Sequence, residues 1–216
     1  MTIILAEQKT KNTYQYFKRV FDVVFSVLAL TCTLPFIVII CLLIYCSSPG
    51  PIFYTHTRVG KNGKSFKLIK FRTMYIDADK KLISILQNNP QLQEEWNRYY
   101  KLKHDPRVFS LGHFLRRTSI DEVPQFLNVL KGDMSIVGPR PCVEEEIMKY
   151  VHHHQAKILS VKPGITGLWQ TSGRSNISWD ERLKIENTYI DKCSCTYDLL
   201  IILKTIKIVF WSKGAC

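Results

Sequence analysis

Two adjacent carboxylates, Asp121 and Glu122, follow two arginines, Arg116 and Arg117, closely enough for phosphoryl chemistry. They sit in LRRTSIDEVPQFLNVLKGDMSIVGPRP, Leu115 to Pro141. An apolar helical stretch (Val123, Phe126, Leu127, Val129, Leu130) follows them, and the segment closes on Gly138-Pro139-Arg140-Pro141. Pro124 lacks an N–H and its ring crowds the preceding turn, so a helix here must begin within a few residues upstream of it. That predicts Asp121 and Glu122 at a helix N-terminus, where unpaired N–H groups and the helix dipole favour negative charge by roughly 0.3–1 kcal/mol. With the arginines acting in the same direction, Asp121 is expected to be ionised, as suits a nucleophile that attacks phosphorus. A structural reading competes: Ser119-x-x-Glu122 fits a capping box, and acidic residues are common at helix starts.

Other polar groups invite similar weighing. Lys70 and Arg72, in Lys70-Phe71-Arg72-Thr73-Met74, alternate with apolar neighbours and share one face of a strand. They fit a solvated edge, or phosphate ligands supplying a point charge and a planar fork. Lys162-Pro163-Gly164-Ile165-Thr166-Gly167-Leu168-Trp169-Gln170 is a Gly/Pro-rich loop with Gly173-Arg174 close behind. Its backbone N–H groups and Arg174 could contact a diphosphate or a sugar; its glycines serve a purely structural loop equally well. His152, His153 and His154 are consecutive and on a helix would point about 100° apart, so a solvated helix end suits them better than a metal site.

The elements that must position these groups follow in order. Residues 1–13 read as a loose tail. A basic, aromatic lead-in (Tyr14, Tyr16, Phe17, Lys18, Arg19) precedes an uncharged run from Val23 to Cys46, and Asp22 falls within helical reach of Arg19 and Lys18. The run is long enough to cross a ~30 Å hydrocarbon core as one helix. Pro35 near its middle predicts a kink. Basic residues on both sides (Lys11, Lys18 and Arg19; then Arg58, Lys61, Lys64, Lys67 and Lys70) suit a helix-break-helix that enters and leaves by one face. These rules leave spanning and re-entrant geometries both open. Ile52 to Arg58 and Ser65 to Phe71, joined by Gly60-Lys61-Asn62-Gly63, predict a β-hairpin. Asp77 to Lys103 predicts two helices broken near Asn88-Asn89-Pro90, with Leu82, Ile85, Leu86, Leu92 and Trp96 inward. Glu144-Glu145-Glu146 begins another helix. From Tyr197 an apolar tail interrupted by Lys204, Lys207 and Lys213 suits a helix lying at a headgroup boundary, with a buried core helix as the competing reading.

The long string from Arg116 to Pro141 closely resembles the core motif of the bacterial sugar transferases, the monotopic polyprenyl-phosphate phosphoglycosyl transferases. The Lys70–Met74 segment, the Lys162–Gln170 loop with its following Gly173-Arg174, and the C-terminal Lys213-Gly214-Ala215 are similar to further family motifs. The resemblance covers about Phe17 to Cys216, and no multi-span N-terminal region of the larger members is evident, so a minimal catalytic unit is expected. It implies an α+β, mainly helical fold: a re-entrant membrane helix at 14–48, then a catalytic domain at 49–216 with a small β-hairpin and a C-terminal interfacial helix. It implies transfer of a sugar-1-phosphate from a UDP-sugar to undecaprenyl phosphate with release of UMP, the first membrane step of surface polysaccharide synthesis. Asp121 would be the nucleophile of a two-step reaction. Glu122 would orient it or assist a divalent metal, and Lys70, Arg72, Arg116, Arg117, Arg140 and Arg174 would hold phosphate groups. Mg²⁺, bridging Asp121 and the diphosphate, is the expected cofactor. The helical region ending in H-D-P-R-V resembles the insertion of hexose-1-phosphate transferring members, which leans toward a hexose.

The expected place is the cytoplasmic face of the bacterial inner membrane, among membrane lipids, with no nucleic-acid partner and with room for a homodimer. Composition agrees with that picture without choosing it. In 216 residues the net charge is +12, which calls for an acidic partner of some kind. Seven cysteines, four of them in or near apolar runs (Cys32, Cys41, Cys46, Cys216), form no C-x-x-C framework and read as reduced and structural. The rival from another class is a membrane-anchored basic protein that binds nucleic acid or anionic lipid without catalysis. It explains the charge and the apolar ends, but an acidic pair among the arginines would repel a phosphate backbone.

Overall fold

A computed structural model describes residues 2–99, 102–150, 155–172 and 179–211. Helix α1 (Thr2–Ser47) leads into strands β1 (Phe53–Val59) and β2 (Ser65–Phe71), then α2 (Ala78–Asn88), α3 (Pro90–Tyr99) and α4 (Ser110–Arg117). After a 3-10 turn at Ile120–Glu122 come α5 (Gln125–Lys131), β3 (Ser135–Val137), α6 (Glu144–Tyr150), α7 (Gln155–Ile158), β4 (Gly164–Thr166), α8 (Trp179–Lys192) and α9 (Cys195–Trp211). The chain divides into two compact units. One takes the residues up to Thr33, Thr55–Ile69 and those from Pro124 onward; the other takes Leu34–Tyr54 and Lys70–Val123.

Helix α1 is 46 residues long, about 69 Å at 1.5 Å per residue. Its helical backbone takes in the residues read from sequence as a tail, and it continues through Pro35 without interruption. The expected break is therefore not a loss of helix; Thr33 turns its hydroxyl back to the Ala29 carbonyl at 2.6 Å just before the proline. Val24, Leu28, Leu34, Phe36, Ile39 and Leu42 are all exposed. A helix with so bare an apolar surface is not the core helix of a protein surrounded by water.

In the first unit, polar residues of α1 do the attaching. Asp22, buried, accepts from Ser135 Oγ at 3.0 Å and from Ile136 N at 2.9 Å. Arg19 donates to the carbonyls of Val129 (2.6 Å) and Leu130 (2.9 Å), in the last turn of α5, where the dipole favours a cation. Lys18 pairs with Asp198 of α9 at 2.6 Å. Sequence spacing puts Asp22 within helical reach of Arg19 and Lys18, and the Lys18 charge does act on it; the hydrogen bonds of all three nevertheless reach outward from the helix. Exposed pairs along a helix bring only about 0.2–0.5 kcal/mol, and buried partners offer more.

The β1–β2 hairpin turns at Lys61–Gly63, with Asn62 left-handed (φ 57°) and Gly60 N–H closing onto Lys64 O at 2.9 Å. From β2, Phe66 and Leu68 join Val129, Met134, Ile136, Leu183, Tyr189, Ile201 and Ile202 in the core of this unit. Asn128, fully buried, acts as a short strand edge: its Oδ1 accepts from Ile69 N at 3.0 Å and its Nδ2 donates to Lys67 O at 2.7 Å. Asn128→Ala strands both backbone groups and is expected to destabilise the protein by about 3 kcal/mol. Denaturant unfolding of the detergent-solubilised variant beside the wild type measures it.

Strands β3 and β4 run parallel, pairing Ser135 with Gly164 and Val137 with Thr166. Gly138 N donates to Thr166 O at 2.9 Å and Gly164 N to Pro139 O at 2.8 Å. A Cβ on Gly164 would lie 2.1 Å from Gly138 N, and one on Gly167 2.2 Å from Gly138 O. The glycines of the Lys162–Gln170 loop thus let its backbone press against that of Gly138. Helix α9 buries Ile201 and Ile202, while Leu199, Leu200, Leu203, Ile206 and Val209 stay exposed. The competing core reading of the tail holds for the face that carries Ile201 and Ile202.

The second unit closes around Ile44, Phe71, Phe109 and Leu115, with Ile37, Ile40, Ile52, Ile120 and Val123 packed on them. Asn89 Oδ1 accepts from Gln91 N (3.1 Å) and Leu92 N (3.2 Å), capping α3 where the sequence expected the break. Leu82, Ile85, Leu86, Leu92 and Trp96 are partly buried, as expected, whereas Ile83 is exposed. Each of the six cysteines among the described residues is free.

Candidate active site

The carboxylate pair belongs to the second unit, and the turn that carries it is built from both sides. Upstream, α4 ends at Arg117 and Ser119 adopts a left-handed conformation, φ 57° and ψ 17°. Few non-glycine residues do so, usually at a helix end or a strained functional turn. Ser119 makes no side-chain cap, so the capping box suggested by Ser119 and Glu122 does not form. The reversal brings Glu122 N onto Ser119 O at 3.2 Å and Val123 N onto Ile120 O at 3.1 Å, a single 3-10 turn. Ile120 and Val123 both point into the core, and Asp121 between them is 8 % exposed.

Helix α5 starts only at Gln125, after Pro124. The expectation of one helix beginning upstream of the proline is corrected accordingly. The proline closes a separate turn, and the acidic pair precedes the helix instead of capping it.

Lys70, at the exit of β2, approaches both carboxylates. Its Nζ lies 2.6 Å from Glu122 Oε1 and 4.0 Å from Asp121 Oδ2. Arg116 donates from Nε to Thr73 Oγ1 at 2.9 Å. Thr73 is in turn fixed through its carbonyl, which accepts from Phe109 N at 3.3 Å and lies 2.2 Å from where a Cβ on Gly112 would sit. Only glycine at 112 lets α4 come so close. The antiparallel bridge between Met74 and Val108 continues this edge into Asp105 and Arg107. Arg107 there forms a two-pronged pair with the Asp105 carboxylate, at 2.8 and 2.6 Å. Burial alone would raise Asp105, but the Arg107 hydrogen bonds outweigh it and hold the carboxyl below the ordinary range.

The electrostatics of Asp121 differ from the sequence expectation in degree. Burial pushes its carboxyl up to about 6; Lys70 and Arg116 pull it back, and Glu122 pushes it further up. At neutral pH the group is still mostly ionised, with Lys70 exerting a larger pull in that direction than Arg116. The shorter bond from Lys70 to Glu122 ties that lysine beside the pair.

The remaining candidates are placed as follows. Arg117 is exposed. Arg72 is buried, and both its terminal nitrogens go to Ser48 just past the end of α1: Nη1 to the hydroxyl at 3.1 Å and Nη2 to the carbonyl. Burial lowers its pKa. Lys70 and Arg72 therefore do not act as one cationic edge. Arg140 belongs to the first unit, with its guanidinium 5.6 Å from the Trp169 ring centroid. Arg174 and the three histidines lie outside the described residues. For a metal, Asp121 and Glu122 are the oxygen donors available; among the described residues no three His, Cys, Asp or Glu side chains converge. One or two carboxylates completed by substrate phosphates are what Mg²⁺ commonly takes, so the pair fits that ion. Thr73 was missed from sequence, although it stands in the Lys70–Met74 motif; its signal was its place directly after Arg72 in that motif.

The family of bacterial sugar transferases matches residues 13–212. The chain belongs to it. Among curated relatives, the exopolysaccharide production protein ExoY of Sinorhizobium fredii is 44% identical over 198 residues, covering 92% of this chain and 87% of that protein. The undecaprenyl-phosphate galactose phosphotransferase of Salmonella typhimurium and the UDP-galactose-lipid carrier transferase of Erwinia amylovora are each 39% identical over 215 residues. Those matches take in 100% of this chain and 45% of each relative, so this sugar transferase spans about half their length.

Proposed function

We propose that this sugar transferase moves a hexose-1-phosphate from a UDP-hexose to undecaprenyl phosphate, releasing UMP, at the cytoplasmic face of the bacterial inner membrane. The observation that carries the reading is the buried Asp121 carboxylate beside Lys70, which Glu122 holds by an ion pair at 2.6 Å. The names of the Salmonella and Erwinia relatives supply the lipid acceptor and the donor class.

In the first step an Asp121 oxygen attacks the phosphorus bonded to the sugar. The bond from that phosphorus to the UMP oxygen breaks, and UMP leaves with the electron pair. In the second step an undecaprenyl phosphate oxygen attacks the same phosphorus and the aspartate leaves, restoring the carboxylate. Lys70 and Arg116 offset the charge moving onto phosphoryl oxygens, and Arg117 adds donors from an exposed position. Arg140, in the first unit, is read from its Gly138–Pro141 motif as a further phosphate ligand. Mg²⁺ held by Asp121, with Glu122 beside it, would supply further charge neutralisation at the diphosphate.

The apolar run of α1 would bend at Pro35 within the bilayer and leave by the face it entered. Its side chains at residues 27–36 include no buried one, as a lipid-covered segment requires. The basic residues flanking the run on both sides favour one cytoplasmic face.

The test is intact-mass spectrometry of the purified protein after mixing with UDP-galactose or UDP-glucose and no lipid acceptor. A phosphohexose adduct mapping to Asp121, discharged by undecaprenyl phosphate, is expected. UMP release that occurs only when both substrates are present, with no adduct under acid quench, would establish direct transfer instead.

A further inference from the structure

Arg140 is held at both ends inside the first unit. Its main-chain N–H donates to Glu186 Oε1 of α8 at 3.1 Å, and its guanidinium rests over Trp169. The same indole carries Arg182, 4.6 Å from the ring centroid, and Arg182 also lies over Trp179 at 4.4 Å. Glu186 and Arg182 are one turn apart on α8, 2 % and 7 % exposed. Arg140 is by contrast exposed, and makes no ion pair within 4.0 Å among the described residues. A guanidinium whose backbone and plane are both fixed, and whose hydrogen-bonding edges meet no carboxylate within 4.0 Å among the described residues, is preorganised for an anion.

Glu186 is not what packing alone would choose. Its second oxygen, Oε2, is buried without a hydrogen-bond partner among the described residues, an arrangement that costs stability. Burial raises the carboxyl to about 7, against the pull of the Arg140 amide and the Arg182 and Arg140 charges. What the side chain gains in return is one specific contact, the amide of Arg140, in a turn that Gly138 and Pro139 already constrain.

We propose that Glu186 is a positioning residue for Arg140: it fixes the Gly138–Pro141 turn so that the guanidinium, laid on Trp169, meets a phosphate oxygen of the donor in a single orientation. This rests on the reading of Arg140 as a phosphate ligand. Glu186 touches the Arg140 amide and not the reacting atoms, so its effect appears in donor binding and not in the chemical step.

The experiment uses the full chain in detergent micelles, with UDP-galactose binding read by calorimetry and turnover read as UMP release. Glu186→Ala is expected to weaken UDP-galactose binding about tenfold, the scale of one charge-assisted contact. Glu186→Gln keeps an oxygen for the Arg140 amide and is expected to bind within about twofold of wild type, a rescue that generic loss of packing would not give. In an Arg140→Ala background, Glu186→Ala is expected to have no further effect. Should Glu186→Ala fail to fold, Trp169→Leu serves as the second probe, with the same expected loss and the same dependence on Arg140. Equal losses with and without Arg140, or unchanged binding in Arg140→Ala alone, overturn the inference. Binding that follows this pattern without UMP release from the wild type supports the positioning role and overturns the proposed transfer reaction.

Discussion

Asp121→Asn is expected to abolish transfer and at the same time to stabilise the metal-free protein at alkaline pH. The loss of activity follows from the proposed chemistry, because an amide cannot form the phosphosugar ester; a drop of at least about 10⁴-fold is expected, the scale seen when a nucleophile is removed. The gain in stability follows from burial. The carboxyl titrates near 6 in the folded chain and near 3.8, its ordinary value, when unfolded. A raised pKa means the folded state holds the proton more tightly. That contribution is complete below the unfolded value and is lost as pH rises through about 6. Above that pH the wild type carries an ionised carboxylate in a poorly hydrated turn, and asparagine does not. The variant is therefore expected to be more stable by on the order of 2 kcal/mol at pH 8 in EDTA, with the advantage gone below about pH 4. Denaturant unfolding at the two pH values, beside UMP-release assays, tests both halves. A variant that is inactive and equally destabilised at every pH would instead place Asp121 in a structural role.

Gly164→Ala is expected to have the largest effect on folding. Its Cβ would meet Gly138 N at 2.1 Å and Thr166 O at 2.4 Å, and both are main-chain atoms that no rotamer change can move. The parallel β3–β4 pair would have to separate, releasing the Gly164 N–H bond to Pro139 O. We expect a loss of more than about 3 kcal/mol, enough to prevent accumulation of folded protein. Gly63→Ala is the control. Gly63 has φ +75° with nothing within 4 Å of a new Cβ, so only the backbone penalty of about 1 kcal/mol applies. Expression yield and unfolding midpoints of the two variants decide the matter, and similar midpoints would contradict it. Because the Lys162–Gln170 loop also looks like a ligand loop, lost activity in Gly164→Ala alone says nothing about contact with substrate.

Local patterns were the legible part of this chain. The Asn88–Pro90 break, the hairpin and the inward set of α2 and α3 follow from turn chemistry and periodicity, which depend on neighbours a few residues away. Sequence also pointed to Asp121 and Glu122, through a motif too long and irregular to arise by chance. What it could not supply was the partner of each charged residue. Asp22 finds Ser135, Lys18 finds Asp198, and Arg72 finds Ser48, all across long sequence separations. Spacing along one helix suggested nearer partners for the first two. Pro124 misled for a related reason: it announces a helix start, but the left-handed Ser119 inserts a separate turn ahead of it, and serine is not a residue that advertises such a backbone. Glu186 and Arg182 were not singled out from sequence, because their one-turn spacing on α8 carries no sign of the burial that the fold imposes on both.

The uncovered flank of α1, with Leu28, Leu34, Phe36 and Leu42 bare, fixes how the enzyme can be handled. In plain buffer the cheapest cover for that surface is another copy of the same helix, so particles formed there would hide the helices from lipid and sequester the protein from the proposed long-chain acceptor. Surfactant is in this sense part of the catalyst's working medium, and rates recorded without it would measure clumping before they measured chemistry.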